Sequence, residues 1–163
     1  MIVVIGAKGG VGTTTAALSL IRALRGVGLD AADGTLAARL DRPTYLLAHA
    51  ALLHRGAFQE AVDHVVRRGI TLLWTPECAF LADPARAFVR AVDERRTVVV
   101  DGGIEPPREL VDGWPGTVVI VSLPDNPVAQ YHERRLLSRF PGALVVHDVR
   151  KIHELLPTLT GWR

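Results

Sequence analysis

Four short runs built almost wholly from valine, isoleucine and leucine constrain this chain most: Ile2-Val3-Val4-Ile5, Thr97-Val98-Val99-Val100, Thr117 to Val121, and Leu144-Val145-Val146. Runs without polar alternation are buried on both faces, as the strands of a parallel sheet are. Weaker runs lie at Ile70 to Trp74 and near Leu29. Helix-length stretches separate them, at Thr13 to Arg25, Pro43 to Arg55, Phe58 to Arg68, Pro84 to Arg95 and Pro127 to Phe140. Asp83 before Pro84, and Asn126 before Pro127, each offer a capping side chain ahead of a proline at the first helical position. Strand and helix alternate. That order predicts an α/β fold of three layers, α/β/α, with a mostly parallel sheet whose ligands bind beyond the carboxyl ends of the strands.

Composition fits one domain over residues 1–163, at 48% hydrophobic and 22% charged residues, with no repeat or linker. Glu105-Pro106-Pro107 and Asp112-Gly113-Trp114-Pro115-Gly116 read as loops within it. Nineteen basic against seventeen acidic residues leave a formal charge of +2, too little to hold nucleic acid by bulk charge. The one cysteine, Cys78, forms no internal disulfide and no Cys-rich metal site, and reads as a half-buried loop residue rather than a nucleophile. The apolar run at the amino end stops at Gly6, too short for a signal peptide, and no segment reaches the ~18 apolar residues of a membrane span. A cytoplasmic protein is expected.

The richest stretch chemically is Gly6-Ala7-Lys8-Gly9-Gly10-Val11-Gly12-Thr13-Thr14-Thr15, between the first strand and a helix. Glycines allow the backbone to gather its N–H groups into an anion nest, and the following helix terminus adds about half a positive charge. Polyphosphate is the natural guest, and the threonines add hydroxyls for phosphate oxygens and a metal. The other reading is a tight turn with no ligand. Lys8 stands out further because the chain has seventeen arginines and only two lysines. So early in the loop, its charge can project away from its own nest toward charge supplied from outside.

The strict phosphate-loop pattern fails twice, with Ala7 at its first glycine and Thr13 where its lysine should stand. Lys8-Gly9-Gly10-Val11-Gly12 followed by Thr14-Thr15 instead resembles the deviant Walker A motif of the ParA/MinD family of P-loop ATPases. The resemblance implies a P-loop NTPase-like fold, ATP or ADP with Mg²⁺ as cofactors, and an ATP-dependent homodimer. It implies that Lys8 acts catalytically by reaching the partner's phosphates, that Gly9, Gly10, Val11, Gly12, Thr13, Thr14 and Thr15 wrap the phosphates, and that Thr14 holds Mg²⁺. Thr13 carries no charge, and losing the usual lysine costs several kcal/mol in stabilising phosphoryl transfer. Slow or absent hydrolysis follows. In that respect the turn is similar to the atypical CpaE/TadZ group, whose members serve as positioning platforms.

The resemblance extends more loosely over residues 1–148. Asp101, following the strand Thr97 to Val100 and followed by Gly102-Gly103, matches the Walker B acid that holds the Mg²⁺ shell; its other reading is a strand-ending turn. Asp33 falls where the family carries a D-x-D switch and would orient the attacking water or the metal, or else simply opens the Asp33-Gly34 turn. His147, where the family places an adenine-binding asparagine, reads as a base contact or a surface histidine. The chain is shorter than typical members, which implies lost peripheral helices.

Other chemistries fit less well. The helix from Pro127 to Phe140 mixes Glu133 with Arg134, Arg135 and Arg139, as a solvated face does, which argues against DNA. Arg150 to Pro157 is short, holds Glu154 and ends in proline, unlike a membrane anchor. His49 and His54 are five apart and form no zinc spacing. The expectation is a nucleotide-binding, dimeric regulatory or positioning module with an unidentified protein partner and weak hydrolysis. A working Mg²⁺-dependent ATPase and a nucleotide-free scaffold are the alternatives.

Overall fold

A computed structural model describes residues 1–53, 55–112 and 116–160. His54 and the centre of the expected loop, Gly113-Trp114-Pro115, lie outside the described residues. Seven strands form one sheet: β1 (Ile2–Gly6), β2 (Val27–Asp30), β3 (Thr44–Leu46), β4 (Thr71–Leu73), β5 (Val98–Asp101), β6 (Thr117–Val121) and β7 (Leu144–Val146). Their order is β3-β4-β2-β5-β1-β6-β7, and every pairing is parallel. The expected three-layer α/β/α arrangement is present, with its sheet wholly parallel.

Period-two alternation on β1 divides the core. Ile2 and Val4 pack with α1 (Thr13–Leu24), α2 (Thr35–Leu40) and the segment from Val149 to Leu159, while Val3 and Ile5 pack toward α3 (Leu47–Ala51), α4 (Arg55–Arg68), α5 (Ala82–Asp93) and α6 (Arg108–Val111). α7 (Pro127–Arg139) covers β6 through Ala129 and Leu136, and α8 (Leu156–Thr160) is the last helix among the described residues. No helix among the described residues is long and apolar enough to cross a membrane.

Three departures from the sequence reading have local causes. Residues 44–46 pair with β4 as an edge strand before the helix begins at Leu47, because the Pro43 carbonyl accepts from the Thr71 amide at 2.9 Å and starts a parallel ladder. β2, expected only as a weak run near Leu29, is wholly buried. Gly28 leaves room there for Leu40 and Ile21, whose methyls would lie 2.8 and 3.1 Å from an added Cβ. The third concerns helix starts. α5 begins at Ala82, so Asp83 sits in its first turn and bonds Arg86 at 2.6 Å instead of capping. Asn126 does cap α7, accepting from Ala129 N at 3.0 Å.

Candidate functional site

The glycine-rich turn leaves β1 at the carboxyl edge of the sheet, where parallel α/β folds place their ligands. Two backbone bonds anchor its root: Gly6 N donates to Gly103 O at 2.7 Å and Ala7 N to Val121 O at 2.8 Å. The turn is thereby tied to both neighbouring strands. Gly10 and Gly12 take left-handed conformations, φ 77° and 96°, which non-glycine residues adopt only with strain. Gly12 caps α1 with its carbonyl alone, accepting from Ala16 N at 2.9 Å, and α1 has no side-chain cap and no acid in its first turn. Among the described residues, the amides of Lys8 to Thr15 donate to no protein acceptor. Five of these unpartnered donors precede the twelve-residue helix and three lie in its first turn, so positive partial charge gathers at this point.

Within it Val11 is buried against the α1 layer and Gly9 and Gly10 are exposed. Lys8 is half-buried and makes no hydrogen bond or ion pair among the described residues. The Thr13 side chain turns back over Gly6. Thr15, exposed, accepts from Arg39 Nη1 at 3.3 Å.

Asp101 ends β5 beside β1, in register with Val4, and is only 1% exposed. Its Oδ1 accepts from Gly103 N at 3.2 Å, whereas Oδ2 is buried without a partner. Burial pushes its carboxyl above the usual carboxylate range; the Thr14 hydroxyl and the Gly103 amide draw it partly back, and the charges of Asp30 and Asp33 add to the rise. Thr14, separated from Asp101 by 86 intervening residues, is thus near enough to act on its carboxyl.

No protein-family model, curated protein or solved structure matches this chain. Its own geometry carries the functional reading.

Asp33 is brought close enough to act on Asp101 electrostatically, but it is exposed and spends its carboxylate on the Thr35 amide at 3.0 Å. Its pKa is lowered by the Thr35 hydroxyl and then by that amide, as in a turn-capping aspartate. The acid that β2 contributes to the interior is Asp30, which the sequence reading passed over. Its Oδ1 accepts from Ala32 N at 3.1 Å and Gly34 N at 3.2 Å, and its Oδ2 from Ala37 N at 3.0 Å. A signal was present in the repeated pattern of a hydrophobic strand ending in aspartate, Leu29-Asp30 and Val100-Asp101. His147 pairs with Glu133 at 3.2 Å, on α7. Val149, unsuspected from sequence, packs on the turn instead, with a methyl 2.9 Å from where a Gly12 Cβ would stand. Cys78 is fully buried in the 3-10 turn Pro76–Ala79.

Proposed function

We propose that this chain binds a nucleoside polyphosphate together with Mg²⁺, as a MinD/ParA-like module with weak or no hydrolysis that acts by assembling with a second copy and a protein partner. The observation that carries the reading is the run of unpartnered amides from Lys8 to Thr15 next to a buried carboxylate oxygen with no donor, Asp101 Oδ2. Anion donors and a cation ligand at adjacent points are what a magnesium–phosphate pair requires. The residues present fit that pair. Amides 8–15 would hold phosphate oxygens, and the Thr14 hydroxyl and the Asp101 carboxylate would hold the Mg²⁺ shell. Bound Mg²⁺ would neutralise phosphate charge that the nest alone leaves unbalanced.

Weak hydrolysis follows from two local features. Thr13 brings no cation to the phosphates, and Asp33 is engaged with Thr35 rather than free to orient a water. Lys8, unpaired and next to exposed Gly9 and Gly10, is available to a phosphate outside its own loop, which favours a partner copy.

Calorimetric titration with MgATP, MgADP and MgGTP tests the reading. Saturable binding that weakens when Mg²⁺ is chelated supports it, and no heat with any of the three at millimolar concentration overturns it in favour of a nucleotide-free scaffold. Steady phosphate release abolished by both Lys8→Ala and Asp101→Ala would make the chain a working ATPase.

A further inference from the structure

We infer that Arg39 supplies the cation of the phosphate loop, reaching from α2 to the first turn of α1 and taking over the charge that Thr13 lacks. The inference rests on the nucleotide reading above and adds to it the residue that balances the phosphate charge.

The placement of Arg39 is the starting point. Its Nη1 donates to Thr15 Oγ1 at 3.3 Å, twenty-four residues away in sequence, and it makes no ion pair among the described residues. A guanidinium has five donors, so nearly all of its hydrogen-bonding capacity is unspent at this spot. The location is electrostatically wrong for a cation on its own. An α-helix carries partial positive charge at its amino end, and α1 has neither an acid in its first turn nor a side-chain cap to soften it. Arg39 is exposed and places its charge beside the amino end of α1, an arrangement that an anion held between the two would stabilise. The carboxyl end of α2 favours a basic residue, but a six-residue helix asks only that it be there, and solvent would serve. Contact with Thr15 is a further requirement that the dipole of α2 does not impose.

The arm that carries Arg39 is also fixed. Asp30 Oδ2 accepts from the Ala37 amide at 3.0 Å, two residues ahead of Arg39, while its Oδ1 holds the turn at Ala32 and Gly34. α2 is thereby tied to the strand beside Asp101, whose Oδ2 is buried without a donor on the same site. Guanidinium on one flank and a magnesium-holding carboxylate on the other would bracket a polyphosphate. Arginine matches phosphate oxygens with two parallel donors, which a lysine at position 13 would do with a single point charge.

The test is titration of the whole chain and of Arg39→Ala, Arg39→Gln and Arg39→Lys with MgATP, MgADP and magnesium tripolyphosphate, alongside melting of each nucleotide-free protein. Loss of one charge-assisted pair predicts affinity lower by roughly ten- to hundredfold for Ala and Gln, with partial recovery for Lys. Tripolyphosphate should lose the same factor as MgATP, since the arginine acts on the phosphates, and the difference should shrink as salt is raised. Wild-type affinity in Arg39→Ala, or a lower melting temperature with unchanged affinity, overturns the inference and leaves the nucleotide reading standing. A wild-type chain that binds none of the three ligands overturns both.

Discussion

Asp30 and Asp101 are register partners on adjacent parallel strands, both buried, and they are provided for in opposite ways. Three amides donate to Asp30, so both of its oxygens are satisfied by the protein. Asp101 receives one amide on Oδ1 and nothing on Oδ2. A buried carboxylate with all its donors internal is structural, whereas one with an oxygen left over has capacity for a further donor or a cation.

Asp30→Ala should therefore act on stability. Three amides lose their acceptor at once, and the turn from Ala31 to Gly34 with the start of α2 loses its anchor. A cost of about 2–4 kcal/mol is expected in urea denaturation. Asp30→Asn keeps one acceptor oxygen and should cost less. Equal stability of Asp30→Ala and wild type would remove the structural role.

Asp101 should govern pH dependence. Burial holds its carboxyl above the ordinary range, so the folded chain binds this proton more tightly than the unfolded chain. The stability contributed by protonated Asp101 is complete below the ordinary carboxylate value and is lost as pH rises through the raised one. Magnesium needs the ionised form, so Mg²⁺-dependent nucleotide affinity should climb across the same window. Asp101→Asn should flatten both slopes and lower that affinity by about ten- to hundredfold, the scale for an acid that holds a metal shell. Melting curves against pH, with and without MgADP, read both effects, and a pH slope that persists in Asp101→Asn would assign it elsewhere.

The layers and sheet were legible because β1, β5 and β6 are uninterrupted runs of apolar residues, a pattern that only burial on both faces produces. β2 was legible only as a weak run near Leu29, since its burial depends on Gly28 admitting methyls from Ile21 and Leu40 on the two flanking helices. The glycine-rich turn could be read from its letters and its position after a strand. Arg39 and Val149 could not, because each joins the site through a contact across 24 or 137 positions, whereas Asp30 carried a signal only as an aspartate ending a hydrophobic strand. The resemblance points to Asp33 rather than Asp30, and burial together with hydrogen bonding separates the two.

Gly12 combines two constraints that a single methyl would break. At φ 96° a β-carbon is strained, and it would stand 2.9 Å from a Val149 methyl. Gly12→Ala is expected to cost about 1–3 kcal/mol in thermal unfolding and to displace the amides of the nest, lowering phosphate affinity as well. Pairing it with Val149→Ala should recover the steric part and leave the backbone strain.

Lys8 should matter to assembly more than to the fold. Unpaired among the described residues, it contributes no internal ion pair, so Lys8→Ala should leave the unfolding free energy within about 0.5 kcal/mol of wild type. Sedimentation with MgATP should show a shift toward dimer in the wild type that Lys8→Ala lacks. Ile104, exposed and close to Gly9, lies on the same rim, and Ile104→Asp should weaken the dimer too. A nucleotide-dependent dimer that forms equally well in Lys8→Ala would end the cross-subunit role.

Thr13→Lys tests the missing charge directly. The Thr13 hydroxyl stands close to where a Gly6 β-carbon would be, so the side chain already leans over the root of the turn, and a lysine stem can start along the same path. An ammonium added beside phosphate should raise MgATP affinity about tenfold, by analogy with other charge-assisted pairs. It should also bring phosphate release up by as much as 10²–10³, the scale on which single charge-stabilising groups act in transition states. Thr13→Val, which keeps the shape and removes the hydroxyl, should do neither. If Arg39 already balances the phosphate charge, the affinity gain will be small in the wild-type background and large in Arg39→Ala, because two cations at one anion share a single neutralisation. Equal gains in both backgrounds would mean that the two positions act on separate phosphates.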